Sequence, residues 1–223
     1  MIILFLTLSA WAQQNFFNAV SSQITPAGQY FYQGQLNMYQ SAKVSQKNHL
    51  VRGLRGNQEL GLNVTDLILR RSPQARQPKP GQTMAAALSY QKAFQLSRRE
   101  QLSIGTQLLS NTDRRFGDFT YLNYKLNFKG HDAIVIGTYV TDHDTVESGD
   151  TIGLTAGYEF FVTKNFALMG DYISGENAIA TSVHGFMYEF EKNKQICVGY
   201  QLRSDPDAPI GNAFVLELNL INL

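Results

Sequence analysis

The sequence has one cysteine, Cys197, so this 223-residue chain cannot form an intrachain disulfide. The 19 basic and 18 acidic side chains almost cancel, and a net charge of +1 gives no field that would attract nucleic acid. No apolar run approaches the roughly 20 residues that a membrane-spanning helix requires, and the mean hydropathy is −0.21. These absences exclude a disulfide framework, a basic nucleic-acid binder and a helical membrane protein. Membrane β-strands stay open as a class, because their alternation looks polar on average.

The first residues indicate export. Residues 2–9 form a short apolar segment, and Ala10-Trp11-Ala12 has the small-x-small pattern of a signal-peptidase site. We therefore predict a signal peptide over residues 1–12 and an N-terminal segment over residues 13–28, although only Met1 precedes the apolar run. The alternative is a buried N-terminal strand.

From residue 29 onward, apolar and polar side chains alternate. In residues 151–163, for example, Leu154, Tyr158 and Phe160 oppose Thr155 and Glu159. A period of two with one bulky and one polar face predicts β-strands. Comparable runs occupy residues 29–42, 58–66, 82–96, 101–110, 118–128, 166–172, 186–190, 196–202 and 214–220.

The number of strands depends on one ambiguous run. Residues 49–55 precede Gly56-Asn57, a pair suited to a two-residue hairpin turn, but Arg52 and Arg55 interrupt the apolar pattern. Including this run predicts about 12 strands, and omitting it with one neighbour predicts about 10, since bacterial barrels have even strand numbers. Short connectors at 97–100, 129–131, 163–165 and 191–194 alternate with longer ones at 70–81, 111–117, 142–150 and 204–211.

Three features favour a membrane barrel over a soluble two-sheet domain. The polar faces carry mainly Gln, Asn, Thr and Ser instead of the dense charge of a solvated sheet, and many runs are about 10 residues long, enough to cross a bilayer. The bulky faces are rich in tyrosine, as interfacial girdles require. We predict an all-β fold for residues 29–223, a closed antiparallel up-and-down transmembrane β-barrel. The tyrosines of the bulky faces are Tyr30, Tyr32, Tyr90, Tyr124, Tyr158, Tyr172, Tyr188 and Tyr200.

With its signal-like start, hairpin rhythm and terminal strand at 212–223, the chain resembles the small outer-membrane β-barrel proteins of Gram-negative bacteria, which include OmpA/OmpX-type barrels and narrow porins. Leu223 departs from the aromatic residue that commonly ends this family. The resemblance implies the bacterial outer membrane as location, with outer-membrane lipid and lipopolysaccharide as partners. It further implies a structural barrel or a narrow pore for small solutes.

Charged side chains fall on the polar faces, which would point into such a barrel. Two interpretations remain open: they line a narrow, cation-favouring channel, or they pair with the inward lysine and with loop arginines and fill the interior, because buried charges need partners. The predicted pore-lining residues are Glu59, Lys125, Glu159, Asp171, Glu189 and Glu217.

Other polar clusters offer weaker candidates. The loop from Asp142 to Asp150 also contains His143, Asp144 and Glu147, and could supply oxygen ligands to Ca²⁺ or an Asp/His pair to a rim enzyme. No fixed ligand spacing is matched, and a solvated loop is the simpler interpretation. No catalytic, metal or cofactor residue is assigned.

Two alternatives to a pore stay open: a barrel-rim enzyme acting on lipid or peptide, and a soluble periplasmic β-domain that binds a ligand. For the enzyme, His184 stands two residues from Ser182, without an evident acid to complete a triad.

A basic cluster in the Pro-rich loop could bind lipopolysaccharide phosphates. It consists of Arg70, Arg71, Arg76 and Lys79. The sequence makes no prediction of oligomeric state.

Overall fold

The computed structural model describes residues 16–70, 84–112, 115–128, 131–146, 148–204 and 211–223. Within these ranges no helix is long and apolar enough to cross a membrane. The described elements are β1 (Tyr30–Tyr39), β2 (Val44–Leu54), β3 (Gln58–Arg70), β4 (Ala85–Gln95), β5 (Glu100–Asn111), β6 (Phe116–Asn127), β7 (Ala133–Thr141), α1 (His143–Val146), β8 (Ile152–Phe161), β9 (Phe166–Ile173), β10 (Thr181–Glu191), β11 (Lys194–Arg203) and β12 (Ala213–Ile221).

The strands form one closed barrel in which each pairs antiparallel with its sequence neighbours. β1 and β12 complete the cylinder, with Phe31 opposite Ile221 at one end and Tyr39 opposite Ala213 at the other. The predicted fold class is thus confirmed, with 12 strands in the described part of the chain. We call the end at which β2 is followed by β3, β4 by β5, β6 by β7, β8 by β9 and β10 by β11 the turn rim, and the opposite end the loop rim.

The two faces of the wall are arranged inside out relative to a soluble domain. Leu154 is 60% exposed and Leu218 41% exposed on the outer surface, whereas Glu159 and Glu217 are 5% and 1% exposed inside. An exterior of bulky apolar side chains around a largely polar interior is the arrangement of a membrane barrel. It contradicts the soluble two-sheet alternative, whose apolar faces would meet each other.

Outward aromatic side chains lie mainly near the two rims, as expected for interfacial girdles. Toward the turn rim these are Tyr30, Phe94, Tyr124, Phe128, Phe160, Tyr188 and Phe190, and toward the loop rim Phe116, Tyr172, Tyr200 and Phe214. Exposed aliphatic side chains such as Leu62, Leu88, Ile104 and Ile136 occupy the band between them.

The predicted β2 is too short. The strand begins at Val44, before the predicted start at residue 49. The prediction failed because Gln46 and Asn48 are polar at outward positions and break the alternation. These side chains satisfy each other on the outer surface, where the Asn48 Oδ1 atom accepts hydrogen bonds from the Tyr32 hydroxyl (2.8 Å) and from Gln46 Nε2 (3.0 Å).

The predicted strict alternation of short and long connectors is also wrong. At the loop rim, β5 and β6 are joined by only residues 112–115, and β1 and β2 by residues 40–43. The β5–β6 ladder continues to the pair Ser110–Phe116, so part of the predicted loop 111–117 belongs to strands. The Asn111 amide donates to the Arg115 carbonyl (3.1 Å) and closes this hairpin tightly.

Candidate functional site: an occupied lumen

Residues 16–25 lie inside the barrel and residues 26–28 connect them to β1, and we call residues 16–28 the plug. Phe16, Phe17 and Ser22 are 3%, 2% and 0% exposed. The segment enters at the turn rim, where the Gly28 amide donates to the Gly53 carbonyl (2.9 Å) directly before β1. From there it passes along the β3–β6 wall, which it contacts through residues 20–25, toward the middle of β8–β11, where its aromatic rings lie. The sequence did not predict this placement of the N-terminal segment.

Asp171 on β9 binds residues 17–19 of the plug. Its Oδ2 atom accepts hydrogen bonds from three successive backbone amides, those of Phe17 (2.9 Å), Asn18 (2.5 Å) and Ala19 (2.8 Å). The carboxyl is 2% exposed. Hydrogen bonds to a charged acceptor are about twice as strong as neutral ones, so this group of three is the most strongly polar attachment in the lumen.

The β3–β6 wall also binds backbone atoms of the plug. Each wall strand contributes at least one inward side chain, and in four of the bonds the plug supplies a peptide N–H or C=O group. The contacts are Thr25 N to Glu59 Oε2 (2.9 Å), Gln91 Nε2 to the Gln23 carbonyl (3.0 Å), Asn123 Nδ2 to the Val20 carbonyl (3.2 Å), Gln101 Nε2 to the Ser22 carbonyl, and Ser103 Oγ to Ser22 Oγ (2.8 Å).

The β7–β12 wall is apolar where the plug is aromatic. Phe16 and Phe17 pack against a buried cluster formed by Val135, Ala167, Met169, Val183, Met187, Cys197 and Val215. Glycines make room for both rings. A Cβ atom on Gly157 would collide with the Phe16 ring, and one on Gly199 would lie 2.8 Å from Phe17 Cζ.

The structure places all six predicted pore-lining side chains inside the barrel, each at most 8% exposed. Glu59 and Asp171 hold the plug. Glu189 accepts the Asn193 amide at the turn rim (2.9 Å), and Glu217 accepts from Asn219 Nδ2 (2.8 Å).

Lys125 and Glu159 face inward on either side of β7, where their register partners are Val135 and Ala133. In this arrangement two long side chains of opposite charge can compensate each other inside the barrel. Neither interpretation made from the sequence anticipated that two of the carboxylates bind a segment of the same chain. A role of the six side chains in lining an open pore stays a prediction.

A cavity of about 300 Å³ lies above the plug and extends toward the loop rim. Phe17 to Val20 form part of its boundary, and Phe119 and Tyr121 present aromatic rings to it. The remaining lining is mostly amide and hydroxyl, including Gln33, Gln35, Asn63, Gln107, Thr155, Thr181 and Gln201.

Basic side chains gather on one side of this mouth. Lys47 and Arg203 line the cavity, and Lys47 Nζ donates to Asn18 Oδ1 of the plug (2.9 Å). Lys43, in the β1–β2 connector, lies close enough to interact electrostatically with Lys47 and Arg203. Burial lowers the pKa of Lys43. The positive charges of Lys47 and Arg203 lower this pKa further, and the negative charge of Asp66 opposes the shift.

The acidic loop after β7 uses its carboxylates for local structure. Asp142 Oδ1 accepts the Thr145 amide at the start of α1 (2.8 Å), and its Oδ2 accepts the Asp118 amide (3.0 Å). Burial raises the pKa of Asp142, but these donors outweigh burial and leave it below its ordinary value. Among the described residues, which do not include Glu147, no group of three His, Cys, Asp or Glu could hold a metal ion.

Asp144 and Asp150 of this loop, and His184, have other partners. Asp144 lies 3.9 Å from Arg115, and Asp150 accepts the Glu176 amide (2.9 Å). His184 points outward from β10, and its Nδ1 lies 3.2 Å from the Tyr158 hydroxyl. This placement fits an interfacial histidine better than a rim catalyst.

Several predictions fall outside the described residues and stay predictions. They are the signal peptide at residues 1–12 and the basic cluster of Arg71, Arg76 and Lys79 with the side chain of Arg70.

The sequence matches no protein-family model and no curated protein. The fold matches solved porin structures. A KdgM porin in complex with disordered oligogalacturonate superposes with a TM-score of 0.60 at 11% identity, over 86% of this chain and 97% of the porin chain. A second KdgM porin structure gives a TM-score of 0.59 at 10% identity, with the same coverage. At such identities the likeness establishes a common barrel architecture.

Proposed function

We propose that this chain is a bacterial outer-membrane barrel of the narrow-porin type, which admits small solutes and is closed at rest by its plug. The observation that carries the proposal is a closed barrel with an apolar exterior and a polar lumen that contains a cavity of about 300 Å³. A cylinder of 12 strands lies between barrels of about 8 strands, which side chains fill, and those of about 16, which leave a channel.

The exterior supports insertion in a bilayer. Only closed barrels and helices satisfy all backbone groups in hydrocarbon, and the aromatic side chains near both rims match the interfaces of a membrane. Outer-membrane lipid is therefore the proposed surrounding. Contact with lipopolysaccharide through Arg70, Arg71, Arg76 and Lys79 remains part of the proposal.

The mouth of the cavity favours small polar solutes with negative charge. Lys43, Lys47 and Arg203 lie near one another there, with the carboxylate of Asp66 opposing them. Arg115 and Asp144 also line the cavity, and their charges compensate each other at 3.9 Å. The carboxylates deeper in the lumen are partly engaged, since Asp171 and Glu59 bind the plug. The complex of a KdgM porin with oligogalacturonate supports this proposal, because that porin shares the barrel architecture.

Conductance in planar lipid bilayers tests the proposal. The refolded chain should show rare, small openings, and a variant with a weakened plug should open often. Absence of channel events at any voltage, in both proteins and with the barrel folded, would leave a structural barrel as the function. Folding is checked by the altered electrophoretic migration of unheated barrels, and fractionation checks the location.

A further inference from the structure

The plug occupies a surface whose chemistry is that of a peptide-binding site. We propose that the lumen binds extended, uncharged peptides with two adjacent aromatic residues, and that residues 16–28 are its resident ligand. The inference rests on the proposed function, since the site lies in the lumen that solutes must cross.

The first argument is that the wall recognises peptide backbone. Asp171 accepts three successive amides, and Glu59 accepts a fourth, that of Thr25. Gln91, Gln101 and Asn123 donate to three plug carbonyls. These bonds do not depend on the side chains of the bound segment, so a second peptide of the same shape can make all of them. Binding through main-chain groups is a general mode of peptide recognition.

The second argument is that two positions are shaped for aromatic side chains. The wall has glycine at 157 and 199, where the rings of Phe16 and Phe17 lie and where a Cβ atom would collide with them. The surrounding side chains are apolar and fully inside the barrel. Inward apolar side chains are unfavourable in a water-filled lumen, so an aromatic side chain that covers this part of the wall is stabilised there.

The third argument concerns charge. Residues 16–28 contain no charged side chain. An acidic side chain in a ligand would meet the carboxylates of Asp171 and Glu59 at close range. A basic side chain in place of Asn18 would meet Lys47, whose Nζ atom lies 2.9 Å from Asn18 Oδ1. The site therefore selects peptides with neutral side chains.

A tethered ligand has a large advantage over a free one, because a short linker gives an effective concentration of about millimolar. The test therefore uses the full chain with a weakened plug, Phe16→Ser together with Phe17→Ser, refolded in detergent. The probe is a fluorescent synthetic peptide with the sequence of residues 16–28. A matched control peptide carries serine at both phenylalanine positions.

Saturable binding of the native peptide, at least about 100-fold tighter than the control peptide, is expected from the two ring pockets. A third substitution, Gly199→Val, fills the Phe17 pocket and should abolish binding while unheated migration stays that of a folded barrel. In bilayers, the native peptide should also close the channel opened by the double substitution.

The outcomes separate the two ideas. A folded variant that conducts but shows no preference for the native peptide overturns the peptide site and leaves the pore intact. A folded variant that binds the peptide without conducting overturns the pore and keeps the site. If the double variant does not refold, the single substitution Phe17→Ser, which empties the pocket beside Gly199, takes its place in the same titration, and equal binding of both peptides then overturns the inference.

Discussion

Replacement of Phe17 by alanine should open the barrel. The Phe17 ring is 2% exposed and packs on the apolar side of the lumen, against a pocket that Gly199 makes possible. The substitution removes this packing from the docked plug and leaves the undocked plug almost unchanged. The three bonds to Asp171 persist, because they use backbone amides.

The size of the effect follows from the burial. Removing a fully buried phenylalanine ring costs about 3–5 kcal/mol in protein cores. For Phe17→Ala we use a cost of about 3 kcal/mol, the lower end of this range, because water from the partly polar lumen can enter the space that the ring leaves. A tenfold change in an equilibrium constant corresponds to about 1.4 kcal/mol, so the fraction of undocked plug should rise about 100-fold.

Single-channel recording measures this fraction as the time spent in the larger conductance state. Phe186→Ala is the matched control, because that ring is 38% exposed on the outer face of β10 and does not contact the plug. An unchanged open fraction in folded Phe17→Ala, or an equal rise in Phe186→Ala, would refute the assignment of residues 16–28 as the closing element.

Three further predictions concern the wall and the loop rim. Leu218→Arg, on the outer face near mid-height, should destabilise the inserted barrel by about 2–4 kcal/mol, and Leu223→Arg at the rim by about 0–1, as refolding into vesicles measures. Lys125→Met should destabilise the barrel by about 1–3 kcal/mol in denaturant titrations, because it removes the opposite charge near the buried Glu159. A second substitution, Glu159→Gln, should restore most of the lost stability. Asp142→Ala should weaken α1 by about 1 kcal/mol at neutral pH. Amide exchange measures this loss. The difference in protection between Asp142→Ala and wild type should disappear as the pH falls from 3.8, the ordinary pKa of an aspartate, through the lower pKa of Asp142 in the folded protein.

The barrel could be predicted because its wall obeys a local rule. Alternation places Leu154 outside and Glu159 inside regardless of which strand is the neighbour, so fold class and side-chain direction follow from the sequence. The rule fails where an outward position is polar but satisfied, as with Asn48 in β2. It also fails at residues 111, 116 and 117, which belong to β5 and β6 despite their loop-like composition.

The plug could not be predicted by the same rule, because its contacts join residues far apart in the chain. Phe17 and Asp171 are separated by 154 positions. A signal was nevertheless present: the inward positions of β7–β12 carry Val135, Met169 and Val183, which an empty polar lumen would not favour. Inward apolar residues in a membrane barrel thus indicate a segment that covers them.

The pairing of β1 with β12 sets the order in which the molecule can be made. Gln33 meets Asn219 across that seam, so the cylinder remains an open sheet until the final strand has been synthesised. Closing so long a loop has a high entropic cost, and folds dominated by such distant contacts assemble slowly. A chain that stopped before residue 213 would keep two bare edges, which lipid does not tolerate. Closure of the barrel, and with it the removal of both bare edges, therefore depends on β12, a strand of nine residues.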